Sequence, residues 1–296
     1  MRFPSLNGLR AFEATARHLS MKVAAEELCV TPSAVSQLLR SLEEELGVSL
    51  FRRDHRALTL TEAGQALLAP VRNAFRLIAD ASDKVRGDPD GGAITISVTS
   101  FFAETWLIPR LDSFYALHPN IDLRIVASTA LANLATGQAD AAIRHGLGAY
   151  RGMSSDLLMA PLIVPVAAPA LLSRFGAPAN AAALLTWPKI HDADRSAWAM
   201  WFASQEVPDA GSTRGPSFDD PGLLRAAILA GQGVGLLPKP LVAPYVVDGR
   251  LVAVGAEGQI SELGYYFVAP KANLGRWPIA AFRAWVMHTA ATTPEP

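Results

Sequence analysis

The chain has 296 residues, half of them apolar, with a formal net charge of −1 and one cysteine. This length supports two or three compact domains, and the near-neutral charge announces no global basic field for nucleic acid. A single thiol excludes an internal disulfide framework and suits a reducing cytoplasm. The opening "MRFPSLNGLR" has no apolar signal core. The longest uncharged run, Leu157 to Ser173, is cut by Pro161, Pro165 and Pro169, so it reads as buried strand and loop rather than a membrane helix. The expectation is a soluble cytoplasmic protein with no membrane partner, in which Cys29 is a small buried residue in a turn.

Leu9, Phe12, Ala16 and Leu19 recur at helical spacing and predict a first amphipathic helix. Ser20 is placed to cap a second, through "MKVAAEEL" to Leu28. "CVT" turns the chain, Thr31 caps a third helix, Pro32 suits its first position, and Gly47 terminates it after Leu46. "VSLFRRDHRALTLT" has apolar ends around a basic centre, as a β-hairpin does. Thr61 caps a long helix to about Arg86. Its Leu67, Val71, Ala74, Ile78, Ala81 and Val85 alternate steps of four and three, a heptad seam. Leu68 and Phe75 flank the seam, and Pro70 predicts a kink. "RGDPDGG" is a linker by composition.

Beyond it the texture becomes α/β. "AITISVTSF", "IDLRIVAS" and "ADAAIRHG" read as strands, separated by the helices "AETWLIPRLDSFYALHP" and "LANLATGQ". The alternation predicts a parallel sheet with helices on its faces. "LIVPVAAP", "GVGLLP" and "LGYYFVAP" continue as strands, "AWAMWFAS" and "PGLLRAAILAG" as helices.

The third helix carries two stripes. On a wheel of roughly 100° per residue, Val35, Leu38, Leu39, Leu42 and Leu46 gather on one side. Ser33, Ser36, Gln37 and Arg40 lie within roughly 100° on the other. Most polar helix faces only meet water. Here a capped helix and a three-residue turn precede, which is helix-turn-helix spacing, and Ala24 and Ala25 allow a close crossing. The exposed types can read base edges or phosphates. Residues 1–60 hold eight Lys/Arg and seven Asp/Glu, with Arg52, Arg53, His55 and Arg56 bunched in the hairpin.

The run from Leu9 to Arg53, "LRAFEATARHLSMKVAAEELCVTPSAVSQLLRSLEEELGVSLFRR", resembles the N-terminal domain of the LysR-type transcriptional regulators, and the likeness continues to "LTLTEAG". "WLIPRLDSFYALHPNIDLRI", "GQADAAIRHG" and "AGQGVGLLP" resemble the effector domain of that family, in the branch of the glycine-cleavage and β-lactamase regulators. The resemblance implies a winged helix-turn-helix over 1–60, a dimerising linker helix over 61–86 and a hinge over 87–92. An effector domain of two Rossmann-like subdomains, akin to type 2 periplasmic binding proteins, follows over 93–296. The first subdomain would take about 93–162 plus 267–296, and the second about 163–266. It further implies a non-enzyme that binds promoter DNA at a partly palindromic site, pairs into dimers and tetramers, works with RNA polymerase and needs no cofactor. Thr31, Pro32, Ser33, Ser36, Gln37 and Arg40 would meet the major groove, with Arg52, Arg53 and Arg56 over the backbone.

A small-molecule effector would sit between the subdomains, at Thr99, Ser100, Phe101, Ser128, Thr129, Arg144, His145, Phe218, Asp219, Asp220 and Tyr266. Two departures from the branch, Phe101 and Pro221 where hydroxyl residues are usual, predict a pocket more apolar than its relatives' but still suited to an anion. Other chemistry is not encoded. "GQGVG" lies between a helix and a strand, the reverse of a dinucleotide loop, so its glycines read as packing points. His18, His55, His118, His145, His191 and His288 have no metal-ligand spacing. No nucleophile elbow occurs, and Trp198 and Trp201 read as packing residues. The runner-up reading is a solute-binding or enzymatic α/β domain whose N-terminal helices serve assembly alone.

Overall fold

The computed structural model describes residues 4–54, 57–85, 91–128, 134, 137–208, 214–257 and 263–292, with backbone only at 53, 54, 57, 80, 83 and 84. Its first three helices are set by short polar caps. Ser5 Oγ accepts from the Gly8 amide at 3.3 Å and opens α1, Leu6–His18. Ser20 Oγ does the same for Val23 at 3.3 Å and opens α2, Met21–Glu27. Thr31 Oγ1 accepts from Ala34 at 3.2 Å and opens α3, Pro32–Leu46, which Gly47 ends at φ 69°. The caps at Ser20, Thr31 and Gly47 agree with the sequence reading. Leu19 does not continue α1 but ends it, at φ 48°. Cys29 corrects an expectation: it lies in the turn but is exposed, at φ 54°, because the tight reversal turns its side chain to water.

Strand β1, Phe51–Asp54, pairs antiparallel with β2, Ala57–Leu60, and forms the wing. Phe12, Val35, Leu39 and Leu42 are fully buried in this domain's own core. Each contributes about 1.5–3 kcal/mol by leaving water. Thr61 Oγ1 donates to the Ser49 carbonyl at 2.7 Å and accepts from Gly64 at 3.1 Å, which starts the linker helix α4, Glu62–Val85. The helix continues through Pro70 rather than stopping there.

Strand β3, Gly92–Val98, ends three residues before the expected Phe101. A helical turn, α5, Ser100–Phe102, follows directly. It runs on as a π turn over Ala103–Leu107, a 3-10 turn over Ile108–Arg110 and α6, Leu111–Leu117. Pro109 has no N–H to give, so the regular ladder fails around it. Strands β4, Ile121–Ala127, β5, Ala141–Gly146, and β6, Met153–Met159, extend the first lobe. The expected helix "LANLATGQ" falls mostly outside the described residues.

The second lobe is built on β7, Ile163–Ala167, with α7, Pro169–Phe175, after it. A short strand β8, His191–Asp192, pairs in parallel with β9, Ser217–Phe218, with α8, Ala197–Ser204, between them. Then come α9, Pro221–Leu229, β10, Gly235–Pro238, α10, Lys239–Val247, and β11, Val252–Ala253. The chain returns through β12, Gly264–Pro270, and closes with α11, Trp277–Thr292.

The wholly parallel sheet is corrected. The first sheet has the order β4-β3-β5-β12-β6, and only β3–β4 and β3–β5 pair in parallel. Strand β12 enters from the other lobe and therefore runs against both β5 and β6. The second sheet, β10-β7-β11, is antiparallel throughout. Tyr266 thus pairs within the first lobe, which takes the chain back at Gly264 rather than at 267. Trp198 and Trp201 are buried packing residues of the second lobe. A Cβ on Gly235 would stand 2.4 Å from Ile228, so that glycine lets α9 lie on β10, as read from "GQGVG". One apolar core spans both lobes: Phe101, Trp106 and Phe267 from the first join Leu224, Leu237 and Leu241 from the second.

Candidate nucleic-acid interface and effector cleft

Helix α3 buries Val35, Leu39 and Leu42 and leaves Ser33, Gln37 and Arg40 exposed, with Ser36 half-buried. Pro32 is exposed at the first helical position. The exposed Thr31 hydroxyl is engaged locally, as the cap and with Ser33 Oγ at 2.9 Å. Arg52 is exposed on β1 opposite Thr59. Arg53 lies opposite Leu58, with its side chain outside the described set, as is all of Arg56. Sequence reasoning missed Glu43. Its Oε1 accepts from the Leu50 amide at 2.6 Å and from Phe51 at 3.2 Å, so the end of α3 holds the first strand of the wing in place.

The heptad seam divides. Val71 is buried and Leu67 half-buried against the core of the DNA-binding domain, with Leu68 and Phe75. Ala74, Ile78, Ala81 and Val85 are exposed, and Leu77 joins them. The upper seam therefore anchors the helix to its own domain, and the lower seam presents an open apolar strip.

In the effector domain, the ends of β3 and β4 lie side by side, Val98 opposite Ala127, and the end of β5 meets the start of β12, Gly146 opposite Gly264. Thr99, Ser100, Ser128, Arg144, His145 and Tyr266 come together along this edge, where open α/β sheets take ligands. Thr129 lies outside the described residues. Arg144 is buried and donates to Ser97 O at 2.9 Å, Ser97 Oγ at 2.6 Å and Ile143 O at 3.0 Å, and burial lowers its pKa. It stands opposite Tyr266. The connection after β5 runs back over this face: a Cβ on Gly148 (φ 81°) would stand 2.5 Å from the Tyr266 ring. Tyr150, on the same connection, has a buried hydroxyl with no hydrogen-bond partner, and burial raises its pKa. Sequence reasoning missed Ser97 and Tyr150; a lone Tyr in a loop gives no local signal. His145 stacks on Tyr265 at 4.8 Å.

One expected ligand contact is corrected. Phe101 is 1 % exposed and sits in the shared core, because β3 stops early and the helical turn rotates its ring inward. Asp220 caps α9, its Oδ1 accepting from Gly222 at 2.8 Å and Leu223 at 3.0 Å. Phe218 packs on the shared core, and Asp219 is exposed. Across the lobes, Arg225 of α9 donates to Glu104 at 2.9 Å and to the Tyr245 hydroxyl, which itself donates to Glu104 at 3.2 Å. The Arg225 guanidinium also lies 5.5 Å from the Phe101 ring centroid.

Comparison with known proteins agrees with this geometry. The family model for the bacterial regulatory helix-turn-helix protein of the lysR family matches residues 6–65, and that for the LysR substrate binding domain matches residues 87–291. The chain belongs to the LysR family of transcriptional regulators. It is 36% identical to the glycine cleavage system transcriptional activator of Escherichia coli (strain K12), over 99% of this chain and 96% of that one. It is also 36% identical to the activator AmpR of Pseudomonas aeruginosa, over 97% and 96%. Among solved structures, the effector domain of the P. aeruginosa AmpR matches with a TM-score of 0.61 at 27% identity, covering 67% of this chain and 96% of that one. ArgP from Mycobacterium tuberculosis shares the fold over 98% of both chains, with a TM-score of 0.73 at 24% identity. LysR regulators bind DNA, and this LysR chain pairs that DNA-binding domain with an effector-binding domain.

Proposed function

We propose that this LysR regulator binds a partly palindromic promoter site as a dimer, assembles further to a tetramer, and changes its promoter binding when a small molecule enters the cleft between the lobes. The observation that carries the reading is the split of α3. Its leucine stripe is buried, while Ser33, Gln37 and Arg40 stand clear of the domain's own core. Such side chains reach base edges when a helix enters the major groove. The exposed lower seam of α4 supports pairing, which would set two recognition helices roughly one turn of DNA apart, ~34 Å.

At the cleft, the guanidinium of Arg144 with the hydroxyls of Ser100, Ser128, Tyr150 and Tyr266 favours a small anion. The burial of Phe101 removes it from the case for an unusually apolar pocket, and that case now rests on Pro221 alone. Pro221 is exposed at the first position of α9 and brings no hydroxyl.

The test is binding of the purified protein to DNA flanking its own gene, against scrambled sequence. Gln37→Ala and Arg40→Ala should each cost about 1–3 kcal/mol on the matched site and relax base preference. Arg53→Ala should weaken every sequence alike, as loss of a phosphate contact does. Unchanged specificity in both α3 variants would overturn the reading.

A further inference from the structure

Between the DNA-binding domain and the first lobe lies a cavity of about 490 Å³, a volume typical of small-molecule sites. Five parts of the chain wall it: α1 with Glu13 and Arg17, α4 with Arg72, Phe75 and Arg76, strand β3, strand β4 with Arg124, and the turn 137–139 before β5. The lining carries four guanidiniums and one carboxylate.

Among the described residues, the ion pairs around the cavity leave positive charge in excess. Glu13 is shared between Arg72 at 3.0 Å and Arg17 at 3.3 Å. Arg17 also meets Glu27 at 2.6 Å. Asp140, buried at the start of β5, is shared between Arg76 at 2.9 Å and Arg276 of the first lobe. Among the described residues three carboxylates therefore serve four guanidiniums, and Arg124 adds a fifth that is exposed and has no acidic partner in that set. Arg72 is only 6 % exposed, so this charge is not merely solvated surface. Burial lowers the pKa of Arg76, and the neighbouring Arg276 and Arg72 add to that effect.

We infer that this junction cavity is a second ligand site, separate from the cleft between the lobes, for a small organic anion bearing two or more anionic groups. Arginine forks suit carboxylate and phosphate oxygens equally, so both chemistries fit. Phe75, Ala79 and Val126 supply an apolar wall for a short carbon skeleton. A ligand here touches α1, α4 and the first lobe at once. Its occupancy would fix the DNA-binding domain against the effector domain without passing through the lobe cleft.

The experiment uses the full-length protein with citrate and pyrophosphate as probes and acetate as the monovalent control, all at one ionic strength set with NaCl. Calorimetry should show saturable binding of citrate or pyrophosphate, one per chain, and none of acetate. Arg124→Ser removes an exposed guanidinium that has no acidic partner among the described residues, and should weaken binding about tenfold. Arg174→Ser removes an equal charge from the exposed end of α7 in the second lobe and should change nothing. Hydrogen exchange on the unmodified protein gives a second reading, with slowed exchange expected in α4 around 72–79. Equal affinity in both variants, or no saturable binding beyond acetate, would overturn the inference. So would protection around Arg144 alone, which would mark the lobe cleft as the anion site instead.

Discussion

Phe101 lies inside a helical turn three residues beyond the end of β3, and its ring is closed off from water beneath Arg225. Phe101→Ser should therefore behave as a core deletion with a buried hydroxyl, costing about 3–5 kcal/mol of stability. Chemical denaturation would measure this; a variant as stable as the parent would return Phe101 to the cleft. The side chain was misread because a strand end is the least certain feature of an apolar run. "ITISVTSFF" gives no mark of where extended backbone stops. By contrast Ser20, Thr31 and Gly47 were legible because a cap acts on amides two or three residues away.

At the scale of elements, α4 is two helices in one. The stretch up to Arg76 carries Val71 and Phe75 on the DNA-binding domain and directs Arg72 and Arg76 at the junction, while the stretch from Leu77 onward shows Leu77, Ile78 and Val85 to solvent. Ile78 is 54 % exposed in the single chain, so a charge there should not disturb the fold of the protomer. Ile78→Asp should yield folded monomers with weakened DNA binding, since a buried carboxylate disfavours the paired seam. Light scattering on the purified variant checks this, and a dimer of unchanged mass would place the pairing surface elsewhere. The heptad spacing was readable along the chain. Its division was not, because Arg76 and Asp140 are far apart in sequence and only the folded junction shows which stretch of the helix is spoken for.

Across the whole molecule, carboxylates held by arginines tie the parts together. Hydrogen bonds from Arg17 and then His18 hold Glu27 down to about 2 in the DNA-binding domain. A hydrogen bond from Arg225 keeps Glu104 below the usual carboxylate range between the lobes, and one from Arg283 does so for Asp156 between β6 and α11. Each folded value lies below its unfolded value, so each contribution is complete above the unfolded pKa and is lost as pH falls through the folded one. The contribution of these three pairs should stay level above about pH 5 and decline from there toward about pH 2. Glu27→Gln should flatten the lower part of that decline, as thermal melts in a pH series would record. An unchanged profile would mean that the Arg17 pairing contributes nothing in solution, a real outcome for a pair so exposed. At this scale the two-domain plan and the lobed effector domain were legible from alternating texture. The direction of β12 was not, because it depends on which lobe the chain is leaving when it arrives.

Cys29 is the sole thiol in the sequence, and it faces water in the turn just before α3. The natural protein therefore carries one ready attachment point for a spin or fluorescent probe, beside the helix proposed to read DNA and with no engineered cysteine needed. In a symmetric pair the two probes form a ruler between the heads. The spacing of the recognition helices, with or without a bound anion, becomes a distance that can be recorded in solution.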